Sequence, residues 1–205
     1  MIACARIVLM NRLGLAFLCV LALASCRAQP PTGPLAVIRV HDRGEIRIEL
    51  LPQLAPHHVA NFTSLANSHF YDGTTFHRVI PKFMIQGGDP LSKDSDPRND
   101  GTGGPGYFIA PEFSDSPHLP GTLSMARQSE PDTAGSQFFI MTTGSESWRP
   151  QLDRQYTVFG HVLSGQEIVD QISSVPRDRR DRPFENVVVD SIRVESPTPA
   201  SAPAH

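Results

Sequence analysis

The chain has 205 residues, a formal net charge of −3 and 40% hydrophobic residues, which fits one globular domain with short additional segments. This charge balance has no basic surplus of the kind that indicates nucleic acid as the main partner. The three cysteines, at positions 4, 19 and 26, all lie near the N terminus, so the predicted domain contains no thiol. A domain of about 160 residues can bury a full core without a disulfide or a metal ion.

The first 26 residues are typical of an export signal. Arg6 and Arg12 precede an apolar run, Leu13–Ala24, which is shorter than the ~20 residues of a membrane span. The run ends in L-A-S-C, which is similar to the bacterial lipobox, so we expect Cys26 to carry lipid. An ordinary signal peptide that contains a cysteine is the alternative. The first interpretation predicts an exported protein, lipid-anchored at the periplasmic face of the envelope, and at the outer membrane if the host has one.

The predicted domain spans residues 35–195 and lies between two Pro-rich segments. Residues 27–34 form a short tether, and residues 196–205, built mainly from Ser, Pro, Ala and Thr, are expected to be disordered. Early in the domain, apolar residues at 46, 48 and 50 alternate with charged ones. This alternation predicts a hairpin of strands 36–40 and 45–50 with one buried face.

Two helices are expected among the strands. Pro56 is typical of a first helical turn, and apolar residues at 59, 62, 65 and 66 fall at helical spacing, so a helix over 57–69 is predicted. A second helix is indicated over 166–172. Many strands with one helix at each side and no βαβ spacing favour a mainly β fold, a closed antiparallel barrel. The other predicted strands are 75–80, 83–86, 122–127, 136–142, 157–162 and 187–194.

The most informative stretch runs from Phe76 to Asp89 and reads F-H-R-V-I-P-K-F-M-I-Q-G-G-D. It is typical of two short strands joined at Pro81, which has no N–H to give to a sheet and suits a bend. Such a bend would bring Arg78, Phe83 and Gln86 to one surface. A guanidinium and an amide beside exposed apolar side chains are unusual in a core and typical of a binding site.

Three further motifs follow in order: G-T-G-G-P-G-Y at 101–107, L-S-M-A-R at 123–127 and G-S-Q-F-F-I at 135–140. Together with the stretch at 76–89, they resemble the cyclophilin-type peptidyl-prolyl cis-trans isomerases over most of residues 37–194. The resemblance implies an eight-stranded antiparallel barrel with two capping helices and an active groove on its outside. It also implies an enzyme that accelerates rotation about X–Pro bonds and needs no metal or other cofactor.

The same resemblance implies the site residues. Arg78 matches the catalytic arginine of the family, Phe83 matches a wall of the proline pocket, and Gln86 matches the residue that holds the arginine and contacts the substrate backbone. For Met84, ordinary core packing is the alternative to a place in the pocket. The remaining residues expected to contact substrate are Met84, Ala126, Arg127, Gln137, Phe139, Leu152 and Tyr156.

Four features depart from the eukaryotic members or stay without a role. The Trp that those members carry before the Leu-Asp pair is Gln151 here, and Trp148, three residues earlier, does not occupy the matching position. Their pocket His is replaced by Tyr156, as in bacterial members. The loop Ser92–Asp100 has extra length, and the charged cluster Arg177–Arg182 is either a solvated loop or a docking patch.

The expected partners are Pro-containing polypeptides, namely exported clients, with a membrane reached through the lipid anchor, no nucleic acid and a monomeric enzyme. The alternative from another class is a non-catalytic barrel that captures Pro segments as a chaperone or scaffold. A ligand-carrying barrel would need an open lumen, whereas Ile, Val and Phe are expected to fill this one. The eight histidines include no pair at metal-ligand spacing, so no metal site is predicted.

Overall fold

The computed structural model describes residues 32–196. The predicted signal peptide, Cys26, most of the tether and the tail after residue 196 lie outside the described residues. Regular structure begins at Leu35 and ends at Glu195.

Eight strands form one antiparallel sheet. Because neighbouring residues on a strand face opposite sides, each strand sends alternate side chains into the barrel interior. The mainly β, eight-stranded antiparallel architecture is thus as predicted. The strands are β1 Leu35–Val40, β2 Gly44–Leu50, β3 Arg78–Ile80, β4 Met84–Gly87, β5 Thr122–Met125, β6 Phe138–Met141, β7 Val158–Ser164 and β8 Val189–Glu195. Their order in the sheet is β3-β4-β6-β5-β7-β2-β1-β8.

The sheet curls until its two edge strands, β3 and β8, approach each other. Thr75 pairs with Val188 as an isolated bridge, and the N–H of Phe76 donates to the carbonyl of Val187 at 2.9 Å. The segment 75–77, predicted as strand, therefore contributes a short seam and not a full ladder. The expected closed barrel is a curled sheet joined by these few bonds.

Helix α1, Pro56–Asn67, places Val59, Phe62, Leu65 and Ala66 on its buried face and packs against β8. Helix α3, Gln166–Ser173, packs against β2. These are the two predicted helices. The two-helix expectation misses a third, α2, Arg149–Leu152, because four residues are too few to show a helical period.

Two 3₁₀ turns, Pro90–Lys93 and Glu146–Trp148, complete the local structure. The first begins the long loop after β4, and the side chain of Asp89 accepts a hydrogen bond from the N–H of Leu91 at 2.8 Å. The second leads directly into α2.

The barrel interior is filled by aromatic and branched side chains. The ring of Phe62 lies with its centroid 5.3 Å from Tyr71, 5.6 Å from Phe138 and 5.3 Å from Phe159. All four rings are fully buried, and truncating one to Ala would cost about 3–5 kcal/mol of the free energy of unfolding. The core therefore occupies the place that a ligand would need in a carrier barrel, and the candidate site lies on the outside.

Candidate active site

Strand register brings four polar and aromatic residues into one row across the outer face of the sheet. Arg78 lies opposite Gln86, Gln86 opposite Phe139, and Phe139 opposite Ser124. Residues directly opposite each other in an antiparallel pair have Cβ atoms about 4.5–5.5 Å apart, so their side chains are neighbours on one face. We call these four residues the cross-strand row.

Arg78 lies at one end of the row and is only weakly paired. Its side chain is 44% exposed, and its one carboxylate contact within 4 Å among residues 32–196 is Nε to Oδ2 of Asp181 at 3.8 Å. The next residue, Val79, donates its N–H to the carbonyl of Asp181 at 2.8 Å, which fixes the backbone beside the guanidinium. A long ion pair on a half-exposed arginine leaves its N–H donors available to a bound carbonyl or amide.

Gln86 begins a chain of amide hydrogen bonds that leads to the loop after β4. Its Nε2 donates to Oε1 of Gln137 at 2.9 Å, and Nε2 of Gln137 donates to the carbonyls of Gly101 and Gly103, both at 2.9 Å. Gln86 was expected to hold Arg78, but its side chain bonds Gln137. The amide chain instead fixes Gln86 as a polar group in the middle of the row.

The loop end that receives this chain is itself tied to Asp89. The carboxylate of Asp89 accepts hydrogen bonds from the backbone N–H groups of Leu91 and Gly101. A Cβ at Gly103 would collide with the same carboxylate, so the close approach of this backbone requires glycine. The G-T-G-G-P-G-Y motif therefore serves to bring backbone carbonyls to Gln137.

An apolar cluster, separate from the barrel core, lies beside the row. Tyr156 meets the ring of Phe139 edge-on, with centroids 5.7 Å apart and planes at 83°. The cluster is apolar and lies next to polar groups, which is the usual composition of a site for a small apolar moiety. Its buried members are Met84, Phe139, Met141 and Leu152, and its partly buried members are Ile80, Phe83, Ala126 and Tyr156.

The degree of burial separates two kinds of residue in this cluster. Met84 is 2% exposed and lies opposite Met141, so it packs beneath the surface. Phe83 is partly exposed, as are Ala126 and Tyr156. The partly exposed residues are those that a bound group could touch directly, whereas the buried methionines shape the floor.

Trp148 is a site residue that sequence reasoning missed. Its ring stacks on Phe83 with centroids 4.1 Å apart and planes at 19°, while Gln151 is exposed. The 3₁₀ turn at 146–148 and helix α2 set the position of the indole. A comparison by position in the sequence could not find it, because Arg149, Pro150 and Gln151 separate Trp148 from Leu152, whereas the tryptophan of the eukaryotic members directly precedes the Leu-Asp pair.

His118 is a second residue that the sequence did not single out. It is fully buried, stacks on Phe139 with centroids 6.0 Å apart, and places Nδ1 3.1 Å from Oδ1 of Asp153 and Nε2 3.0 Å from Oγ of Ser124. Burial lowers the pKa of His118, although Asp153 opposes this shift, so the ring is neutral near pH 7. Since a carboxylate only accepts, Nδ1 carries the proton and donates to Asp153. Nε2 faces the Ser124 hydroxyl, whose Oγ also lies 3.0 Å from the carbonyl oxygen of Thr157.

Arg127 contributes backbone and stacking at the other side of the row. The N–H of Ala126 donates to the carbonyl of Gln137 at 2.9 Å, which holds this segment in line with β6. The guanidinium of Arg127 lies 4.5 Å from the ring centroid of Tyr156 and donates to the carbonyl of Gln155. The side chain of Arg127 thereby fixes one face of Tyr156.

Two cavities open beside the row and share Gln86, Gly101 and Arg127. The first, of about 460 Å³, lies between residues 101–108 and the strand ends at 126–128 and 133–137. The structure thus gathers the ten sequence-predicted site residues of the domain in one region of the sheet, where Met84, Phe139 and Leu152 are buried and the others are at least partly exposed. Cys26 lies outside the described residues. Their contacts with substrate stay predictions.

Within residues 32–196, no three His, Cys, Asp or Glu side chains lie close enough together to hold a metal ion. No helix in this described part of the chain has the length and apolar character needed to cross a bilayer.

Comparison with known proteins gives consistent results. A family model described as cyclophilin type peptidyl-prolyl cis-trans isomerase/CLD matches residues 35–194. Peptidyl-prolyl cis-trans isomerase B of Streptomyces anulatus is 44% identical over 177 residues, which cover 76% of this chain and 93% of the relative. The enzyme of the same name from Bacillus subtilis is 47% identical over 137 residues, covering 66% of this chain and 87% of the relative.

Solved structures agree with the sequence comparison. A Cryptosporidium parvum cyclophilin type peptidyl-prolyl cis-trans isomerase, crystallised in the presence of the dipeptide Ala-Pro, superposes with a TM-score of 0.69. It is 32% identical, and the match covers 79% of this chain and 99% of the crystallised one.

Proposed function

This chain belongs to the cyclophilin-type peptidyl-prolyl cis-trans isomerases and is an enzyme of that class, and we propose that it turns X–Pro bonds at the cross-strand row, with Arg78 as the electrostatic catalyst. The observation that carries this assignment is the register of three adjacent strands, which sets Arg78, Gln86 and Phe139 side by side. The guanidinium, the amide and the apolar cluster then face one bound segment.

The reaction needs no bond to be made or broken. Amide resonance gives the X–Pro bond a rotational barrier of about 18–20 kcal/mol, and unassisted exchange takes about 10–100 s. A donor directed at the prolyl nitrogen localises its lone pair as resonance is lost, which lowers that barrier. Arg78 supplies such a donor with a permanent charge and a planar fork, and its pairing with Asp181 at 3.8 Å is too long to engage that fork fully.

The apolar cluster is the proposed place for the pyrrolidine ring. Phe83, Ala126 and Tyr156 present partly exposed surface, with buried Phe139 and Leu152 beneath them. If the ring is held there, the segment on the other side of the bond is the part that turns. Holding one side while the other rotates favours the twisted state over either planar state.

Gln86 and Gln137 are proposed to bind the substrate backbone. Their amides are already fixed to each other and to the carbonyls of Gly101 and Gly103, so little side-chain freedom is lost on binding. Gln86 still has its own carbonyl oxygen to offer to a peptide N–H. The backbone of Arg127, adjacent to the first cavity, offers further polar groups.

The substrates are Pro-containing polypeptides. That a relative with 32% identity was crystallised in the presence of Ala-Pro supports a small Pro-containing ligand for this site. We propose further that the clients are exported proteins and that the enzyme is a monomer anchored through lipid on Cys26 at the periplasmic face of the envelope. The N-terminal sequence alone supports this localisation.

The competing function is a barrel that binds Pro segments without turning them. NMR exchange spectroscopy on a short Ala–Pro peptide separates the two, because it reports cis–trans exchange directly and needs no coupling protease. We expect catalytic amounts of the full-length protein to raise the exchange rate far above the spontaneous one in the presence of a chelator. Peptide binding with an unchanged exchange rate would support the binding module instead.

A further inference from the structure

Two segments that the isomerase site does not use close around the second cavity. Residues 97–100 of the loop Ser92–Asp100 form one side and the turn Arg177–Arg182 the other, and between them lies an open cavity of about 740 Å³. Arg78, Gln86 and Arg127 also line this cavity, so it opens directly onto the cross-strand row. Its charged lining consists of two aspartates, Asp100 and Asp178, and six arginines, Arg78, Arg98, Arg127, Arg179, Arg180 and Arg182.

The turn is held rigid by Asp178. Oδ1 of Asp178 accepts hydrogen bonds from the N–H groups of Arg180 at 2.7 Å and Arg182 at 3.0 Å, and its own N–H donates to the carbonyl of Arg182 at 2.9 Å. These bonds engage Oδ1 of Asp178 with backbone donors. The side chains of Arg179 and Arg180 at the tip are left exposed.

The turn is also docked on both of its neighbours. Val79 donates to the carbonyl of Asp181 at 2.8 Å, which ties the turn to β3 beside Arg78. Nε of Arg182 lies 2.7 Å from Oδ2 of Asp100, whose side chain is only 9% exposed, and this pair ties the turn to the loop. The cavity walls are therefore preorganised before any ligand arrives.

The net charge of the side chains around the cavity is positive, although the whole chain has a formal net charge of −3. Three of the arginines have a carboxylate within 4 Å: Arg78 with Asp181, Arg98 with Asp96 and Arg182 with Asp100. The other three, Arg127, Arg179 and Arg180, have no carboxylate at that distance among residues 32–196. The lining holds six arginines and two aspartates, and with Asp96, Asp181 and the Asp181 partner Arg177 included, seven arginines face four aspartates. This leaves a local positive surplus beside the catalytic groove.

We propose that this cavity binds an acidic side chain of the client next to the X–Pro bond, which makes the enzyme selective for prolines with an acidic neighbour. The proposal rests on the isomerase function and names its substrate class. A peptide lying on the row must pass the cavity mouth, because Arg78 and Gln86 belong to both. The planar fork of arginine matches a carboxylate in geometry as well as in charge.

A nucleic acid fits the cavity less well. Phosphate chains are bound by runs of cations along a groove, whereas Asp100 and Asp178 interrupt the arginines here. The concave shape and the shared wall with the peptide site favour a single carboxylate carried by the substrate itself.

The test compares short Ala–Pro peptides that carry Glu, Gln or Lys on either side of the Ala–Pro pair, with kcat/KM measured by NMR exchange. At low ionic strength, and for one of the two flanks, we expect kcat/KM of the Glu peptide to exceed that of the Gln peptide about three- to tenfold. The kcat/KM of the Lys peptide should lie below that of the Gln peptide. The preference should shrink at high salt. In the double variant Arg179→Ser/Arg180→Ser, the ratio of kcat/KM for the Glu and Gln peptides should drop below about twofold. The variant should turn over the Gln peptide nearly as fast as the wild type does.

The control is Arg39→Ser/Arg43→Ser, which removes the same charge from the β1–β2 hairpin, where neither residue lines the cavity. It should keep the preference for Glu. The proposal would be overturned by equal turnover of the Glu and Gln peptides on both flanks. It would also be overturned if the control variant lost the preference for Glu to the same extent as Arg179→Ser/Arg180→Ser. So would stronger inhibition by a single-stranded oligonucleotide than by an acidic peptide of equal charge.

Failure of the isomerase function can be distinguished from failure of the acidic preference, because in the first case no peptide of either charge would be turned over. Binding of the acidic peptide can still be followed through Trp148, the single tryptophan, which stacks on Phe83. Tighter binding of the Glu peptide that disappears in Arg179→Ser/Arg180→Ser would support the cavity under that outcome, and equal binding would contradict it.

Discussion

The indole of Trp148 lies flat on the ring of Phe83, with centroids 4.1 Å apart and planes at 19°. Phe83 is the partly exposed aromatic of the apolar cluster, so the stack restricts its ring from one side. This contact supplies an aromatic wall that the residue at position 151, an exposed Gln, does not provide.

Replacing Trp148 with Ala should therefore weaken substrate binding through loss of that wall. We expect kcat/KM for an Ala–Pro peptide to fall about 5- to 20-fold, which corresponds to the ~0.5–1.5 kcal/mol of an aromatic pair plus some lost burial. NMR exchange measures the effect. Leu163→Ala, at an exposed apolar residue of β7, is the control and should leave turnover unchanged. Equal activity of the two variants would show that the stack does not shape the site.

Stability should decrease as the pH falls from 7 to 5. Burial lowers the pKa of His58, His77 and His118 in the folded protein, while the unfolded chain titrates near about 6.5. Below that pH the unfolded chain takes up protons first, so the free energy of unfolding falls by up to about 1.4 kcal/mol per pH unit for each proton. Urea unfolding at several pH values measures this slope. His118→Gln should flatten it, whereas His57→Gln, at an exposed residue, should not.

At still lower pH, a further loss of stability is expected from the Asp72–Arg193 pair. This pair links the turn that precedes β3 with strand β8. The guanidinium of Arg193 donates to Oδ1 at 2.7 Å and to Oδ2 at 2.6 Å, and this pairing lowers the pKa of Asp72 to about 2. The unfolded carboxyl titrates near about 3.9, so the stabilisation is present above that value and is lost as the pH falls through 2.

Asp72→Asn should therefore cost about 1–2 kcal/mol at pH 7, after allowance for the partial exposure of the pair, and less at pH 2. Thermal unfolding of the variant at both pH values checks this. Asp42→Asn, at a side chain that is 89% exposed, provides the comparison. An Asp72→Asn protein as stable as the wild type at pH 7 would contradict the role of the pair.

The sequence predicted the strands and long helices well because their burial follows a simple period. The alternation at 46, 48 and 50 and the helical spacing of Val59, Phe62 and Leu65 each correspond to a buried face in the structure. Motif resemblance located Arg78, Gln86 and Phe139, and strand register explains why they meet.

Features that depend on tertiary contacts were not predictable. Helix α2 is too short to show a period, and the position of Trp148 depends on it. His118 is distant in sequence from Asp153 and is recognisable only by the bonds it makes to Asp153 and Ser124. The second cavity forms only where the loop Ser92–Asp100 meets the turn Arg177–Arg182, and the Arg182–Asp100 pair joins these two segments.

The proposed anchor makes a separate prediction. Cys26 should be the lipid-bearing first residue of the mature protein, and membrane fractionation should retain the wild type. A single acyl chain binds membranes only marginally, so stable retention requires more than one chain on the lipoprotein. Cys26→Ser should release the protein into the soluble fraction. Mass spectrometry that finds an unmodified N terminus beyond Cys26 would reject the anchor.

The central claim, that Arg78 lowers the rotational barrier, is tested most directly by kcat/KM of Arg78→Ala and Arg78→Lys in the NMR exchange assay. We expect Arg78→Ala to lose about 10²–10³ in kcat/KM, as when one preorganised donor is removed, and Arg78→Lys to lose most of its activity for want of the planar fork. Both should melt like the wild type, since the side chain is 44% exposed and pairs only at 3.8 Å. Arg43→Ala, an exposed arginine outside the site, should be fully active. An Arg78→Ala protein that keeps half of the wild-type kcat/KM would contradict the account.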